Sequence, residues 1–368
     1  MSNMQLILVE DDLDDVELCK NAVSDFKKDK RCNVDLQIAN DVSSAIEAFK
    51  SSHYDGAIVD MKLASDGDEG NQVLKEVKKQ LRRVPVVIMS GTPYDAVIKD
   101  VPLVATYVKG DIRYYDIIKY LWDIYNTGLT KIMGGKGEIE KCLSEIFVNI
   151  LLPQITPDPN NKSNNWITYA QDKPENTEKA LLRYTLNHLI HYLYHDDSFC
   201  YPDEMYIYLH PPMPQKINTG CILMEKSTDK LYIVMNPACD LVERKNGKCK
   251  TDRALLAAIQ RIEEVEGFQK IKCNHEKDLS KNDKNNLDSI RKNNKNLYYH
   301  WLPKTKYYTY GAVVNFRWLH TYSEKELDEQ FDEPVIQISS PFLKEIISRF
   351  SSYYARQGQP DIGYLELE

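Results

Sequence analysis

The chain lacks several features that define whole classes of protein. No apolar run approaches about 18 residues, so a membrane-spanning helix is excluded. The eight cysteines are scattered without a CxxC pair, and no secretory leader is visible, so we expect a reduced, cytoplasmic protein. Basic residues are fewer than acidic ones, with 47 Lys and Arg and 55 Asp and Glu. The net charge therefore does not indicate nucleic-acid binding.

At 368 residues the chain is long for one domain and suits two. In the first 127 residues, short apolar runs alternate with amphipathic segments. This alternation predicts a doubly wound α/β domain, with a five-stranded parallel sheet covered on both faces by helices. In such a domain, ligands bind at the carboxyl ends of the strands.

Carboxylates stand where two of these predicted strands end. The cluster Glu10-Asp11-Asp12 follows one apolar run, and Asp60 follows another. Strands that deliver carboxylates at their carboxyl ends predict a metal site around a nucleophilic or phosphorylatable aspartate.

Two further strand ends carry a hydroxyl and an ammonium group. Ser90 ends the run 84–89, and Lys109 ends the run 103–108. With these residues in this order, the first 127 residues resemble the receiver domains of two-component response regulators. The resemblance implies that Asp60 accepts a phosphoryl group from a histidine kinase or another phosphodonor.

The groups around Asp60 suit phosphoryl transfer. Mg²⁺ prefers oxygen ligands and keeps several waters, so Asp11 and Asp60 with Glu10 or Asp12 would suffice to hold it. Lys109 and Ser90 would offer a positive charge and a hydrogen bond to the phosphoryl oxygens. Transfer then depends mainly on positioning and on charge neutralisation.

The sequence departs from the receiver pattern at several places. The loop between Asp60 and Gly70 is about two residues longer than usual, and Ser90 and Lys109 are close in sequence for a full helix and two loops. Gly110 stands where most receivers carry a proline. The aromatic residue usual three positions before the lysine is Thr106, with Tyr107 one step later. That shift turns the ring to the other face of the strand unless a bulge compensates, so we expect an altered output switch.

The glycine-rich residues 128–137 predict a flexible linker, and residues 138–368 predict an α+β effector domain. We expect helices at 138–152, 175–194, 253–265 and 341–355, a hairpin within 220–242, and a mobile insertion at 274–296. Over about 20 residues the hairpin resembles the small SH3-like barrels of some RNA-cleaving toxins.

Two sets of residues in this second part are candidate effector sites. Cys239 and Asp240 follow a predicted buried strand, where they could act as nucleophile and ligand or simply form a turn. Arg183 and His188 have the Arg-x4-His spacing of a class of helical ribonucleases. His188 also shares a helix face with His191 and His195, which suits either a transition metal or ordinary solvated histidines.

Three functions remain open. The chain is a phosphorylation-controlled switch with an output other than helix-turn-helix, or an effector nuclease or nucleotide hydrolase of a phage-defence or stress system. In the third possible function, the second domain only binds a protein partner. The aromatic residues between 298 and 322 would suit such an interface. A homodimer and nucleic-acid binding are left open.

Overall fold

The computed structural model describes residues 3–63, 69–80, 83–92, 101–155, 165–193, 200–209, 217–244, 249–272 and 279–356. The chain divides into two compact units, residues 1–197 and 198–368. This division falls well beyond the predicted linker at 128–137. The start of an effector domain at residue 138 therefore stays a prediction.

A five-stranded sheet forms the centre of the first unit. Its strands are β1 (Asn3–Val9), β2 (Asn33–Ala39), β3 (Gly56–Val59), β4 (Val86–Ser90) and β5 (Leu103–Val108). They pair in parallel in the order β2-β1-β3-β4-β5. β3 and β4 are buried along their whole length, as expected for strands covered on both faces. The predicted doubly wound fold is confirmed.

Four helices accompany this sheet: α1 (Leu13–Lys30), α2 (Val42–Ser51), α3 (Glu69–Lys79) and α4 (Tyr114–Asn126). One apolar core packs with α2 and α3, and the other packs with α1 and α4. α1 begins where Asp12 accepts a hydrogen bond from the backbone of Asp14 at 2.8 Å. The end of β1 and the start of α1 therefore fall within a few residues of each other, beside the acidic cluster.

The segment after α4 packs near the start of β3, beside His53 and Asp55. It contains α5 (Leu129–Met133), whose Thr130 is buried and donates a hydrogen bond to Asp55 at 2.5 Å. A Cβ added to Gly135 would lie 2.3 Å from the ring of His53, so the chain passes close to that ring. Residues 128–137, predicted as a flexible linker, contain α5 and these contacts, and the linker itself stays a prediction.

Further helices complete the first unit. They are α6 (Glu138–Ile146), a π-helical turn (Phe147–Leu151), α7 (Leu152–Ile155), α8 (Asn165–Asp172) and α9 (Pro174–Leu193). α9 matches the helix predicted at 175–194. Its predicted apolar stripe is not buried, since Leu182, Leu186 and Ile190 are exposed.

The second unit is built on a seven-stranded antiparallel sheet. Its strands are β6 (Tyr206–Tyr208), β7 (Cys221–Met224), β8 (Leu231–Val234), β9 (Arg253–Arg261), β10 (Tyr299–Leu302), β11 (Ala312–Ser323) and β12 (Ile336–Ile338). The order is β10-β11-β9-β8-β7-β12-β6. The predicted hairpin is β7 and β8, and it is part of this larger sheet rather than a separate SH3-like barrel.

Three helices pack with this sheet: α10 (Lys281–Arg291), α11 (Glu324–Gln330) and α12 (Ser340–Tyr354). They confirm the α+β class. Two local expectations were wrong. Residues 253–265 form β9 and a short 3-10 turn rather than a helix, because β9 pairs with β8 and β11 on its two sides. The predicted mobile insertion contains α10, which buries Leu287 and Ile290 against β10 and β11.

None of the helices in the described ranges is both long enough and apolar enough to cross a membrane.

Candidate functional site

The carboxyl ends of β1, β3 and β5 meet around the side chain of Lys109. Its Nζ lies 2.8 Å from Asp60 Oδ2 and 2.8 Å from Glu10 Oε2. It also lies 2.6 Å from Asp15 Oδ2, in the first turns of α1. Backbone bonds fix these positions, because Asp60 N donates to the carbonyl of Val9 at 3.0 Å. One ammonium group therefore joins three carboxylates delivered by three elements.

Burial and charge oppose each other at this ammonium group. Burial alone would lower the pKa of Lys109, but hydrogen bonds with Asp15, Asp60 and Glu10 outweigh it and raise the pKa above its ordinary value. Lys109 is therefore charged at any physiological pH.

Glu10 is the most deeply buried acid of the site, with only 1% of its surface exposed. Burial raises the pKa of Glu10 to about 7, although the hydrogen bond and charge of Lys109 oppose this shift. Its Oε1 accepts a hydrogen bond from the backbone of Asp12 at 3.1 Å. A second positive charge beside Glu10 would favour its ionised form.

Glu10, Asp11 and Asp60 form a group of acidic oxygens that could hold a cation. One oxygen of each lies within 4.8 Å of the others. Asp11 is exposed, while Glu10 and Asp60 are buried. Hard carboxylate oxygens of this kind suit Mg²⁺, which needs few protein ligands, so the donor set fits the expected ion. Asp12 does not join this group, because its side chain caps α1.

Ser90 is fully buried at the end of β4. Its hydroxyl accepts a hydrogen bond from the backbone of Thr92 at 3.3 Å, and its carbonyl accepts one from the backbone of Lys109 at 3.0 Å. Ser90 is thus tied to the strand that carries Lys109.

The sequence departures near Lys109 have structural counterparts. Gly110 adopts φ +93°, a conformation that L-residues rarely take. Thr106 is exposed, whereas Tyr107 packs against the core shared with α1 and α4. The register of β5 shifts between Leu103 and Ala105, but it runs on regularly from there to Val108, so no bulge returns Tyr107 to the other face.

Residue-based reasoning missed Asp15, Tyr114 and the role of Gly70. Acidic residues are common in the first turn of any helix, so Asp15 carried no signal of its own. Among the described residues the buried Tyr114 hydroxyl has no hydrogen-bond partner, and burial together with the charges of Glu10 and Asp15 raises its pKa. A Cβ on Gly70 would lie 2.7 Å from the carbonyl oxygen of Asp60, so glycine permits the start of α3 to approach the site.

The pair Cys239 and Asp240 lies in a 3-10 turn that follows β8. Cys239 Sγ is 3.6 Å from Asp240 Oδ1, and Lys250 Nζ is 2.8 Å from the same oxygen. The hydrogen bond with Lys250 lowers the pKa of Asp240. Backbone groups of Lys250 and Thr251 also donate to the carbonyl of Asp240, so these contacts hold a turn together.

Arg183 and His188 lie on α9. The ring of His188 is 4.5 Å from that of Tyr184, which in turn contacts Trp166. His188 is half-buried in this aromatic group, and Arg183 is exposed. His191 is exposed on the same helix, while His195 lies outside the described residues.

Solved receiver domains match about the first third of the chain. No family model matches the chain, and no curated protein matches it. Among solved structures, it is similar to the receiver domain of a sensor histidine kinase from Pseudomonas aeruginosa with a magnesium ion in its active-site cleft. That likeness has 15% identity, covers 34% of this chain and 99% of the other, and has a TM-score of 0.28.

The signal receiver domain of a response regulator from Mycobacterium tuberculosis is similar at 21% identity, covers 34% and 98% of the two chains and has a TM-score of 0.28. A receiver domain from Francisella shows 17% identity over 34% and 98%, with a TM-score of 0.26. These scores are low, and the assignment rests on the chain's own geometry. The strand order β2-β1-β3-β4-β5 and the groups at its strand ends give residues 3–126 a receiver-like fold.

Proposed function

We propose that the first unit is a phosphoryl-accepting signalling domain in which Asp60 is the acceptor. The observation that carries this proposal is the contact of Lys109 with Asp60, Glu10 and Asp15 at one edge of the parallel sheet. A buried aspartate beside a fixed ammonium group and further carboxylates suits transfer to an oxygen nucleophile. The partner is a histidine kinase or another phosphodonor, and the transfer takes place in the cytoplasm.

In the proposed step, a carboxylate oxygen of Asp60 forms a bond to phosphorus while the bond between phosphorus and the donor atom breaks. The leaving group keeps that electron pair, and an acyl phosphate remains on Asp60. Glu10, Asp11 and Asp60 would hold Mg²⁺, which neutralises phosphoryl charge when it is bound. Lys109 contacts the phosphoryl oxygens and Ser90 donates a hydrogen bond to them.

We infer that phosphorylation controls an output formed by the residues after the receiver-like part. Added phosphoryl charge of about −1.5 to −2 at Asp60 attracts neighbouring donors and so rearranges the strand-end loops. In the described part of the second unit, strands separate α10, α11 and α12, which does not fit a helix-turn-helix. We therefore keep an output of another kind, and a homodimer remains a prediction.

Incubation with acetyl phosphate and Mg²⁺, followed by intact-mass measurement, tests this proposal. We expect the wild type to gain the mass of one phosphoryl group and Asp60→Asn to gain none. Asp123→Asn, which removes an exposed carboxylate on α4, serves as the control and retains the gain. Equal phosphorylation of wild type and Asp60→Asn would refute the assignment.

A further inference from the structure

A surface strip on the second unit joins aromatic rings to unpaired positive charges. We define the Arg317 strip by six residues: Tyr298, Arg317, Trp318, Tyr353, Tyr354 and Arg356. The guanidinium of Arg317 lies 3.8 Å from the ring centre of Tyr298. That ring is 6.2 Å from Tyr353, and the guanidinium of Arg356 lies 4.7 Å from Tyr353. The contacts therefore form one continuous surface from β11 to the end of α12.

Arg317 and the exposed Trp318 both lie in an irregularity of β11. Asn315 pairs with Ala258 and Leu319 pairs with Ala257, so the three residues between them have no partner on β9. The buried side chain of Asn315 accepts a hydrogen bond from the backbone of Arg317 at 3.2 Å. Such bulges redirect side chains and often mark functional sites.

The other side of the bulge is also fixed. The backbone of Phe316 donates to the carbonyl of Tyr298, and its own carbonyl accepts a hydrogen bond from the hydroxyl of Tyr354 at 2.7 Å. Phe316 itself is fully buried. The bulge is therefore an ordered part of the sheet, although Trp318 is 48% exposed and Tyr354 is 53% exposed.

Basic residues outnumber acidic ones in the sequence that contains Tyr298, Arg317 and Trp318. Residues 289–323 contain six Lys and Arg, six Tyr and two Trp, and they contain no Asp or Glu, in a chain whose net charge is −8. None of Arg317, Arg349 and Arg356 forms an ion pair with a described carboxylate. Arg349 donates instead to the carbonyls of Asn293 and Tyr299. These three arginines therefore keep their positive charge without an ion-pair partner among the described residues.

We propose that the Arg317 strip binds single-stranded nucleic acid. Exposed rings such as Trp318 and Tyr354 offer flat surfaces on which unpaired bases stack, and Arg317 and Arg356 offer positive charge to the phosphates. Bases in a duplex are already stacked, so they cannot use these rings. An acidic protein could pair with the positive charges of the arginines, but it would not account for the exposed aromatic rings beside them. This binding does not depend on Asp60.

Fluorescence anisotropy of the full chain with labelled single-stranded RNA and DNA, and with a duplex of the same sequence, tests the proposal. We expect single strands to bind at low salt and the duplex to bind more weakly. Trp318→Ala should weaken binding about 5- to 100-fold, because a stacked base is lost. Arg317→Gln should lower the slope of log affinity against log salt by about 0.7 for each lost phosphate contact.

Two variants provide matched controls. Tyr201→Ala removes an aromatic ring that is 76% exposed in the same unit, and Lys325→Gln removes one exposed positive charge on α11. Neither should change binding. Arg317→Lys keeps the charge but loses the flat guanidinium, so it should retain the salt slope while binding more weakly.

Several results would overturn the proposal. These are a lack of binding to either single strand at low salt, equal binding of the duplex, or unchanged affinity in Trp318→Ala. Binding to vesicles of anionic lipid without binding to oligonucleotides would also overturn it. Circular dichroism of each variant checks that the sheet is intact.

Discussion

Lys109 lies 2.6 Å from Asp15 on α1 as well as 2.8 Å from Asp60, the proposed acceptor at the end of β3. The carboxylates of Asp15 and Asp60 thus both contact the ammonium group of Lys109. If a phosphoryl group on Asp60 attracts Lys109, the ammonium must weaken its contact with Asp15. Asp15 therefore stabilises the unphosphorylated arrangement.

We predict that Asp15→Asn increases phosphorylation. Loss of a partly exposed ion pair changes the free energy by about 0.5 to 1 kcal/mol, which corresponds to about a two- to fivefold change in equilibrium. At limiting acetyl phosphate, intact mass should therefore show a larger phosphorylated fraction. Glu17→Gln, which removes an exposed carboxylate from the same helix, is the control. A smaller fraction in Asp15→Asn would mean that Asp15 assists transfer instead.

Adjacent acids should differ in their effect on Mg²⁺. Asp11 belongs to the group of oxygens within 4.8 Å, whereas Asp12 caps α1. Asp11→Asn should weaken Mg²⁺ binding about tenfold or more, as expected for the loss of an oxygen ligand. Asp12→Asn should bind nearly as wild type, because asparagine is also a good N-cap. Calorimetric titration with Mg²⁺ measures both, and equal losses would contradict the division of roles.

Two glycines at the strand ends should respond differently to a methyl group. No atom of the described residues lies within 4 Å of a Cβ added to Gly110 or to Gly91, but Gly110 has φ +93°. Gly110→Ala should therefore destabilise the chain by about 1 to 2 kcal/mol through backbone strain alone. Gly91→Ala should stay within about 0.5 kcal/mol of wild type. Urea unfolding measures both, and a neutral Gly110→Ala would show that the turn relaxes.

Stability should fall in mild acid because of His300. Burial, together with the nearby charge of Arg349, lowers the pKa of His300 to about 3, and its Nδ1 has no hydrogen-bond partner in the described part of the chain. The unfolded chain binds a proton near pH 6.5 that the folded chain binds only near pH 3. This contribution to stability is therefore complete above about pH 6.5 and is lost as the pH falls toward 3, by up to about 1.4 kcal/mol per pH unit.

Urea unfolding of wild type and His300→Gln at pH 7 and pH 5 measures this effect. The variant should lose less stability between the two values. If His300→Gln does not fold, an NMR titration of the wild type replaces it, and the ring should remain neutral at pH 5. A ring that titrates near pH 6.5 in the folded protein would contradict the prediction.

The receiver-like part was predictable because β1, β3 and β4 are largely buried and so appear as continuous apolar runs. Asp60 and Lys109 could be placed because parallel strands end at one edge of the sheet. β9 could not be predicted as a strand, because its Ala- and Leu-rich sequence suits a helix. It is a strand because it pairs with β8 and β11. α10 was missed because the burial of Leu287 and Ile290 depends on distant strands.

The Arg317 strip was out of reach for a related reason. The net charge near neutrality of the second part hid a local excess of basic residues. The bulge that exposes Trp318 exists only because of register between β11 and β9. The spacing of residues in the sequence shows neither the local excess of basic residues nor the register of the two strands.

The position of β12 in the second sheet has a consequence for the order of folding. β12 (Ile336–Ile338) lies between β6 and β7, which precede it by more than one hundred residues, and in the sheet β6 pairs with β12 alone. During synthesis β6 thus has no partner strand in this sheet until residues 336–338 have also been made. Closing so long a loop is slow compared with forming the hairpin of β7 and β8. We expect β12 and β6 to join last, and the late arrival of β12 leaves the edge of β7 exposed to other chains during synthesis.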